Sequence, residues 1–274
     1  MSSPDIHSDE SVGWLRRQLD QPQFVAWACM GILVICAWVL LAAMSLVKGE
    51  GFVAQLIASL CAPTGTGWGV NDFAAALGMW LAMTFAMMLP AGAPMLAVYL
   101  DISGAAHRKG MQVPDASILM AGYLGVWALF AIAATLGQWG LAQMGALTPQ
   151  LVLQNTWIAG VILIGAGAWQ FSETKHQCLT KCRRPMTWFM ANWRDDVRGV
   201  FEMGLRQGVI CLACCWALML VMFVTGLMNL FWMAGLAIVM VAEKTIVKPK
   251  PLVYGTGVLL IAGGLGLIVN SLVA

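Results

Sequence analysis

Cysteine is the residue whose type and spacing most suggest chemistry in this chain. Eight cysteines are present: Cys29, Cys36, Cys61, Cys178, Cys182, Cys211, Cys214 and Cys215. Cys178 and Cys182 are four residues apart, with His176 two residues before the first of them. Two thiolates and an imidazole at that spacing suit copper(I) or zinc. Lys175, Lys181, Arg183 and Arg184 lie close by, which leads one to expect a lowered thiol pKa there. The alternative is a plain pair of interfacial thiols, since a zinc site ordinarily has four ligands. The second cluster is Cys211-Leu-Ala-Cys214-Cys215-Trp216. On a helix Cys211 shares a face with Cys214 and Cys215, and the same face continues to Met219 and Met222. A single buried free Cys is an ordinary small hydrophobe; three in five residues, followed by thioethers, are soft-metal ligand material.

Methionine extends the set. Met79, Met83 and Met87 recur every four residues, Met88 follows directly, and Asn229, Met233, Met240 and Glu243 fall on roughly one helical face. Met stripes usually pack. At about 1.5 Å rise per residue, however, Cys215, Met88 and Met233 lie at similar depth, roughly 14–20 Å from the inner boundary of the spans defined below. Pro90 and Pro94 each remove a backbone donor, freeing the carbonyls of Ala86 and Pro90. Inside a bilayer such a carbonyl needs a neighbouring helix or a cavity. Glu243 is the one acid within an apolar stretch; it reads either as a cation or proton ligand or as an interfacial partner of Lys244 or Lys248. The candidate metal set is therefore Cys211, Cys214, Cys215, Cys178, Cys182, His176, Met87, Met88, Met219, Met233 and Glu243. Copper is the first choice of metal and zinc the alternative.

The elements that must position these groups follow from composition. Of 274 residues, 60% are hydrophobic and 10% charged, and the mean hydropathy is +0.80. Soluble domains average about 45–50% apolar and about 25% charged, so an ordinary soluble enzyme and a disordered chain are excluded. A net charge of +2 gives no footprint for nucleic acid. About 20 helical residues cross a bilayer core. Apolar runs of spanning character cover Phe24–Val47, Phe73–Leu100, Ala116–Trp139, Trp157–Phe171, two stretches between Val209 and Val247 divided near Gly226, and Leu252–Val273. The expected fold is an all-α polytopic membrane bundle of about seven helices. A polar N-terminal segment, 1–23, precedes a single transmembrane domain, 24–274. The first span is too long for a signal-peptide core and reads as a retained anchor.

Charge orients the bundle. Every Lys and Arg except Lys48 falls in alternate loops on one side. The positive-inside rule then puts the N-terminus in the cytoplasm and the C-terminus outside. The basic loop 173–206 is expected to carry an amphipathic helix from Pro185 onward, with Phe189, Trp193, Val197, Val200, Phe201 and Leu205 facing the cytoplasmic interface. Gly122, Gly125 and the glycines from Gly255 to Gly266 are placed for close helix contacts.

These motifs resemble a known family. Met87-Met88-Leu89-Pro90 with Pro94, Cys178-x-x-x-Cys182 with Pro185, Gly208-x-x-Cys211-x-x-Cys214-Cys215-Trp216-Ala217-Leu218-Met219, Gly226-x-Met228-Asn229-x-x-Trp232-Met233 and Glu243-Lys244 are similar to the bacterial predicted metal-binding integral membrane proteins, domain of unknown function 2182. The likeness runs from about residue 70 to the C-terminus. Ala91 and Ala213 stand where Ser and Gly are expected. The resemblance implies membrane location and metal binding; it brings no reaction.

Three functions compete. The first is handling of a soft metal, copper(I) foremost, for transport or delivery to a partner in or beyond the bacterial inner membrane. The second is a thiol–disulfide oxidoreductase built on Cys211 and Cys214, which the cytoplasmic placement of the thiols disfavours. The third is a non-catalytic subunit or assembly factor of a membrane complex. No catalytic triad, phosphate loop or dinucleotide fingerprint is present. The expected partners are the lipid bilayer and another membrane or periplasmic protein, with no nucleic acid, and self-association is possible. No catalytic and no organic-cofactor residue is expected.

Overall fold

The computed structural model describes residues 22–46, 67–148, 151–227, 229–246 and 248–273. Most of the polar segment 1–23, together with Lys48 and Cys61, lies outside them. Within the described residues the chain is helical, and we number its helices α1 (Pro22–Leu46), α2 (Val70–Arg108), α3 (Ala116–Gln143), α4 (Thr156–Gln170), α5 (Glu173–Arg183), α6 (Pro185–Asn192), α7 (Val197–Leu220), α8 (Met222–Thr225), α9 (Leu230–Thr245) and α10 (Lys250–Val273). The sole extended pairing among them is a bridge between Leu147 and Leu153.

Among the described residues, five segments are long and apolar enough to cross a membrane: Gln23–Ala43 within α1, α2, α3, α7 with α8, and α10. The fourth and sixth expected spans emerge shorter, at 15 residues for α4 and 16 for α9. At about 1.5 Å per residue these measure roughly 22–24 Å, less than the hydrocarbon core of about 30 Å. Local signals set their ends. Asn155 caps α4 by accepting from the Trp157 and Ile158 amides, and Asn229 caps α9 through the Trp232 amide. The chain breaks where expected near Gly226, which adopts φ +96°, a backbone region open mainly to glycine.

The basic segment 173–206 departs from expectation. Ser172 caps α5 through the Lys175 amide, Pro185 opens α6, and Asp196 caps α7 through the Gly199 amide at 2.9 Å. The amphipathic pattern is thus divided. Phe189 and Trp193 close on Tyr99 of α2 with ring centroids 6.1 and 5.6 Å apart, so they face protein. Val197, Val200, Phe201 and Leu205 belong to the first turns of α7. Phe189 and Val200 are buried within the bundle, whereas Val197 and Phe201 remain exposed on its surface.

Helix α2 is central, packing on α1, α3, α6 and α9, while α7 packs on α3 and α5, and α10 on α4. Small residues permit the closest crossings. A Cβ on Gly122 would overlap the Phe201 carbonyl oxygen, and one on Gly204 the Leu119 carbonyl oxygen. Gly160 and Gly167 of α4 meet Gly264 and Gly257 of α10 in the same way. Gly125 and Gly255, expected to do likewise, have open space or only ordinary contact. The kink defect at Pro90 is closed from the neighbouring helix: Trp38 Nε1 donates to the freed Ala86 carbonyl at 3.2 Å.

Candidate metal centre

Crossing geometry explains how the thiol cluster is assembled. Gly204 and Gly208 sit one turn apart on α7 and admit α3 to backbone distance. Tyr123 of α3 is thereby carried to the next turn of α7. Its hydroxyl donates to the Met88 carbonyl at 3.0 Å and stands 3.1 Å from Cys211 Sγ. The second partner of Cys211 comes from α9, where Lys244 Nζ donates to the same sulfur at 3.0 Å. Lys244 is 4% exposed. A buried ammonium is costly unless paired, and the Cys211 sulfur is the hydrogen-bond partner it has.

The remaining thiols close around this point. Cys211, Cys214 and Cys215 are buried, with Cys214 Sγ and Cys215 Sγ 3.3 Å apart. Cys214 also bonds the Cys211 carbonyl at 3.1 Å. Cys182 reaches across from α5 to stand beside Cys211 and Cys214. Its interaction with the Cys211 sulfur, with burial, pushes the Cys182 thiol well above the usual thiol range. Burial also pushes Cys178 up, against the opposing pull of Lys181. The sequence led us to expect the reverse at both positions. The reason is that Lys175 is directed elsewhere, into a fully buried 2.8 Å ion pair with Glu243. Desolvation and thiol–thiol interaction then outweigh the basic residues that remain.

Two thiol groups far apart in sequence therefore form one cluster of Cys182, Cys211, Cys214 and Cys215. Cys178, one turn before Cys182, is half-buried at its edge. Met87, Met88, Met219 and Met233 are all buried in the same core as the α7 thiols. His176 is set apart; its ring lies edge-on to Tyr254 of α10 at 5.5 Å. Glu243 does not bond Lys244 or Lys248 as the sequence suggested, because Lys175 occupies its Oε2.

Among the described residues no group of three or more His, Cys, Asp or Glu is already set around one metal position. The sulfurs touch one another. Two sulfurs bound tetrahedrally at about 2.3 Å from a metal stand about 3.8 Å apart, so Cys214 and Cys215 would have to part slightly from their 3.3 Å contact. As a donor set, four thiols with neighbouring thioethers suit copper(I).

The family model for PpoB2, described as a copper chaperone, matches residues 77–267. The chain belongs to that copper chaperone family. No curated protein and no solved structure matches the chain. The matched segment holds every residue of the thiol cluster. The copper assignment agrees with the metal-binding family that the motifs resemble, although the family carries a different name, and nothing in it points to zinc.

Sequence reasoning missed three participants: Lys244, Lys175 and Tyr123. Lys244 was assigned to a loop. The available signal was that α9 has no Pro, Gly or polar break between Met240 and Thr245, so a helical Lys244 remains on the body of the bundle. Tyr123 was legible as a neighbour of Gly122, a close-contact position. Lys175 gave no sign, because a lysine in a basic segment looks solvated.

Proposed function

We propose that the protein is a multi-pass chaperone of the bacterial inner membrane that holds copper(I) on the thiols of Cys182, Cys211, Cys214 and Cys215 and passes it to a partner protein. Seven crossings are proposed, with α4 and α9 as short ones, the N-terminus cytoplasmic and the C-terminus outside. The observation that carries the reading is the convergence of Cys182 on the three α7 thiols, within a chain of the copper chaperone family. Cys178, half-buried one turn away, is the receiving thiol. His176 lies at the outer edge of that approach. Met87, Met88, Met219 and Met233 offer neutral thioether donors for onward movement, which bury no charge of their own. The assembly-factor reading converges on this one where the partner is a copper enzyme. Metal analysis of protein purified in detergent tests the proposal. The wild type is expected to carry copper, and a chain with Cys211→Ser, Cys214→Ser and Cys215→Ser to lose it. Equal copper in the two removes the reading.

A further inference from the structure

Glu243 and Lys244 are consecutive on the last turn of α9, yet they hold different helices. Lys244 bonds Cys211 of α7, and Glu243 bonds Lys175 of α5. Arg183 at the far end of α5 donates to the Ile246 carbonyl just past α9. Helix α5 is thus tied to the same short stretch of chain at both of its ends.

The helix needs such ties. It has 11 residues, ETKHQCLTKCR, and its buried residues are Lys175 and Leu179. An isolated helix of this length is marginal even with good helix formers. With so little apolar surface it has no hydrophobic stripe to fix its place. Lys175, Cys178, Leu179 and Cys182 follow the i, i+3, i+4, i+7 spacing and share one face. The lysine at the head of that face is 0% exposed and paired to a carboxylate that is itself buried. An apolar contact allows a helix to slide; a directional buried ion pair specifies register. Glu243 keeps its other oxygen, Oε1, without a hydrogen-bond partner among the described residues. The pair is therefore held by one bond between two charges, not embedded in a larger network.

We infer that the Lys175–Glu243 pair is a positioning device that sets the register of α5 so that Cys182 sits on the α7 thiols. Glu243 then acts through Cys182 and not on the metal. The pair decides whether the cargo meets a site built from two helices or from α7 alone. This last statement rests on the copper reading above; the placement of Cys182 does not.

The test has a metal-free arm and a copper arm. In membranes, a chain whose only cysteines are Cys182 and Cys211, the second kept because it pairs Lys244, is treated with diamide. The two S–H bonds are exchanged for one S–S bond, and both hydrogens pass to the azo nitrogens of the reagent, which is reduced to a hydrazine. Lys175→Met and Glu243→Gln are each expected to slow cross-linking about tenfold through misplacement. Lys181→Met, on the exposed face of α5, should leave it unchanged. Cross-linking at the parent rate in both variants, at parent levels in the membrane, overturns the inference. Lys175→Glu combined with Glu243→Lys provides the rescue, and a return toward the parent rate supports a positioning role over a general loss of folding.

In the copper arm, the otherwise wild-type protein is titrated with copper(I) against a chromophoric competitor. Lys175→Met should weaken binding about tenfold, the usual scale for an outer supporting residue, and Cys182→Ser by a similar factor. The combined variant should be no weaker than Cys182→Ser alone. Additive losses overturn the inference. A wild type that binds no copper, with cross-linking still dependent on the pair, defeats the copper reading and leaves the positioning role standing.

Discussion

Lys244 places its ammonium 3.0 Å from the sulfur of Cys211, and both residues are buried. Removing one partner of such a contact strands the other. Cys211→Ala, which leaves the buried ammonium without its partner, is expected to destabilise the protein by about 3–5 kcal/mol, the range for an uncompensated buried charge. Adding Lys244→Met should return part of that loss. Thermal unfolding in detergent reads both, and an unchanged midpoint for Cys211→Ala would show that the contact contributes nothing.

Tyr123 joins two helices through one oxygen, bonding the Met88 carbonyl and standing against the Cys211 sulfur. Tyr123→Phe keeps the ring and removes both contacts. A loss of about 1–2 kcal/mol is expected, with copper retained because no thiol is altered. Unfolding midpoints paired with metal content check this, and complete loss of copper would mean that the phenol belongs among the ligands.

The α3–α7 crossing leaves no room for a methyl group. Gly204→Ala and Gly122→Ala force a Cβ into a facing backbone carbonyl, which neither helix can yield by a side-chain rotation. A loss of at least about 1–3 kcal/mol is expected. Gly125→Ala, whose nearest neighbour is a leucine methyl 4.0 Å away, is the control and should sit within about 0.5 kcal/mol of the parent. A tolerant Gly204→Ala would mean that the helices do not cross this closely.

Cys178 and Cys182 both have thiols held above their ordinary range. A raised value leaves less thiolate at neutral pH, and thiolate is the reacting form. Alkylation of each is therefore expected to be slow near pH 7 and to climb as pH rises past the point where an ordinary exposed thiol has levelled off. Cys182 should lag behind Cys178, since it stands beside the Cys211 sulfur. Mass spectrometry of alkylated peptides across a pH series follows each site. Because a thiol must lose its proton to bind metal, copper affinity should strengthen over the same interval. Fast alkylation of Cys182 at pH 7 would contradict the thiol cluster.

Much of the scaffold was legible because its signals are local. Long apolar runs and the chain break at Gly226, a glycine with φ +96°, can be read from neighbouring residues alone. The proline kink and the need to satisfy Ala86 were equally readable, although the donor, Trp38, comes from another helix. The thiol clusters stood out by type and spacing. What sequence could not supply is where charges point once the helices meet. Lys175 and Lys244 look like solvated residues of basic loops, and both are buried. The periodicity from Pro185 to Leu205 suggested one surface helix, because an apolar face looks the same whether lipid or Tyr99 covers it. Long-range pairing, not local pattern, determines those cases.

The indole of Trp38 has a consequence for any shortened form of the protein. The family-matched segment begins at residue 77, downstream of the helix that contains this tryptophan. Trimming the chain to that segment would strip the Ala86 oxygen of its donor and leave it facing hydrocarbon beside the proline. A naked peptide dipole in oil costs several kcal/mol, a sizeable fraction of the stability of a typical domain. The leading helix is therefore a plug for a flaw in its neighbour, and the minimal stable unit extends upstream of the recognisable one.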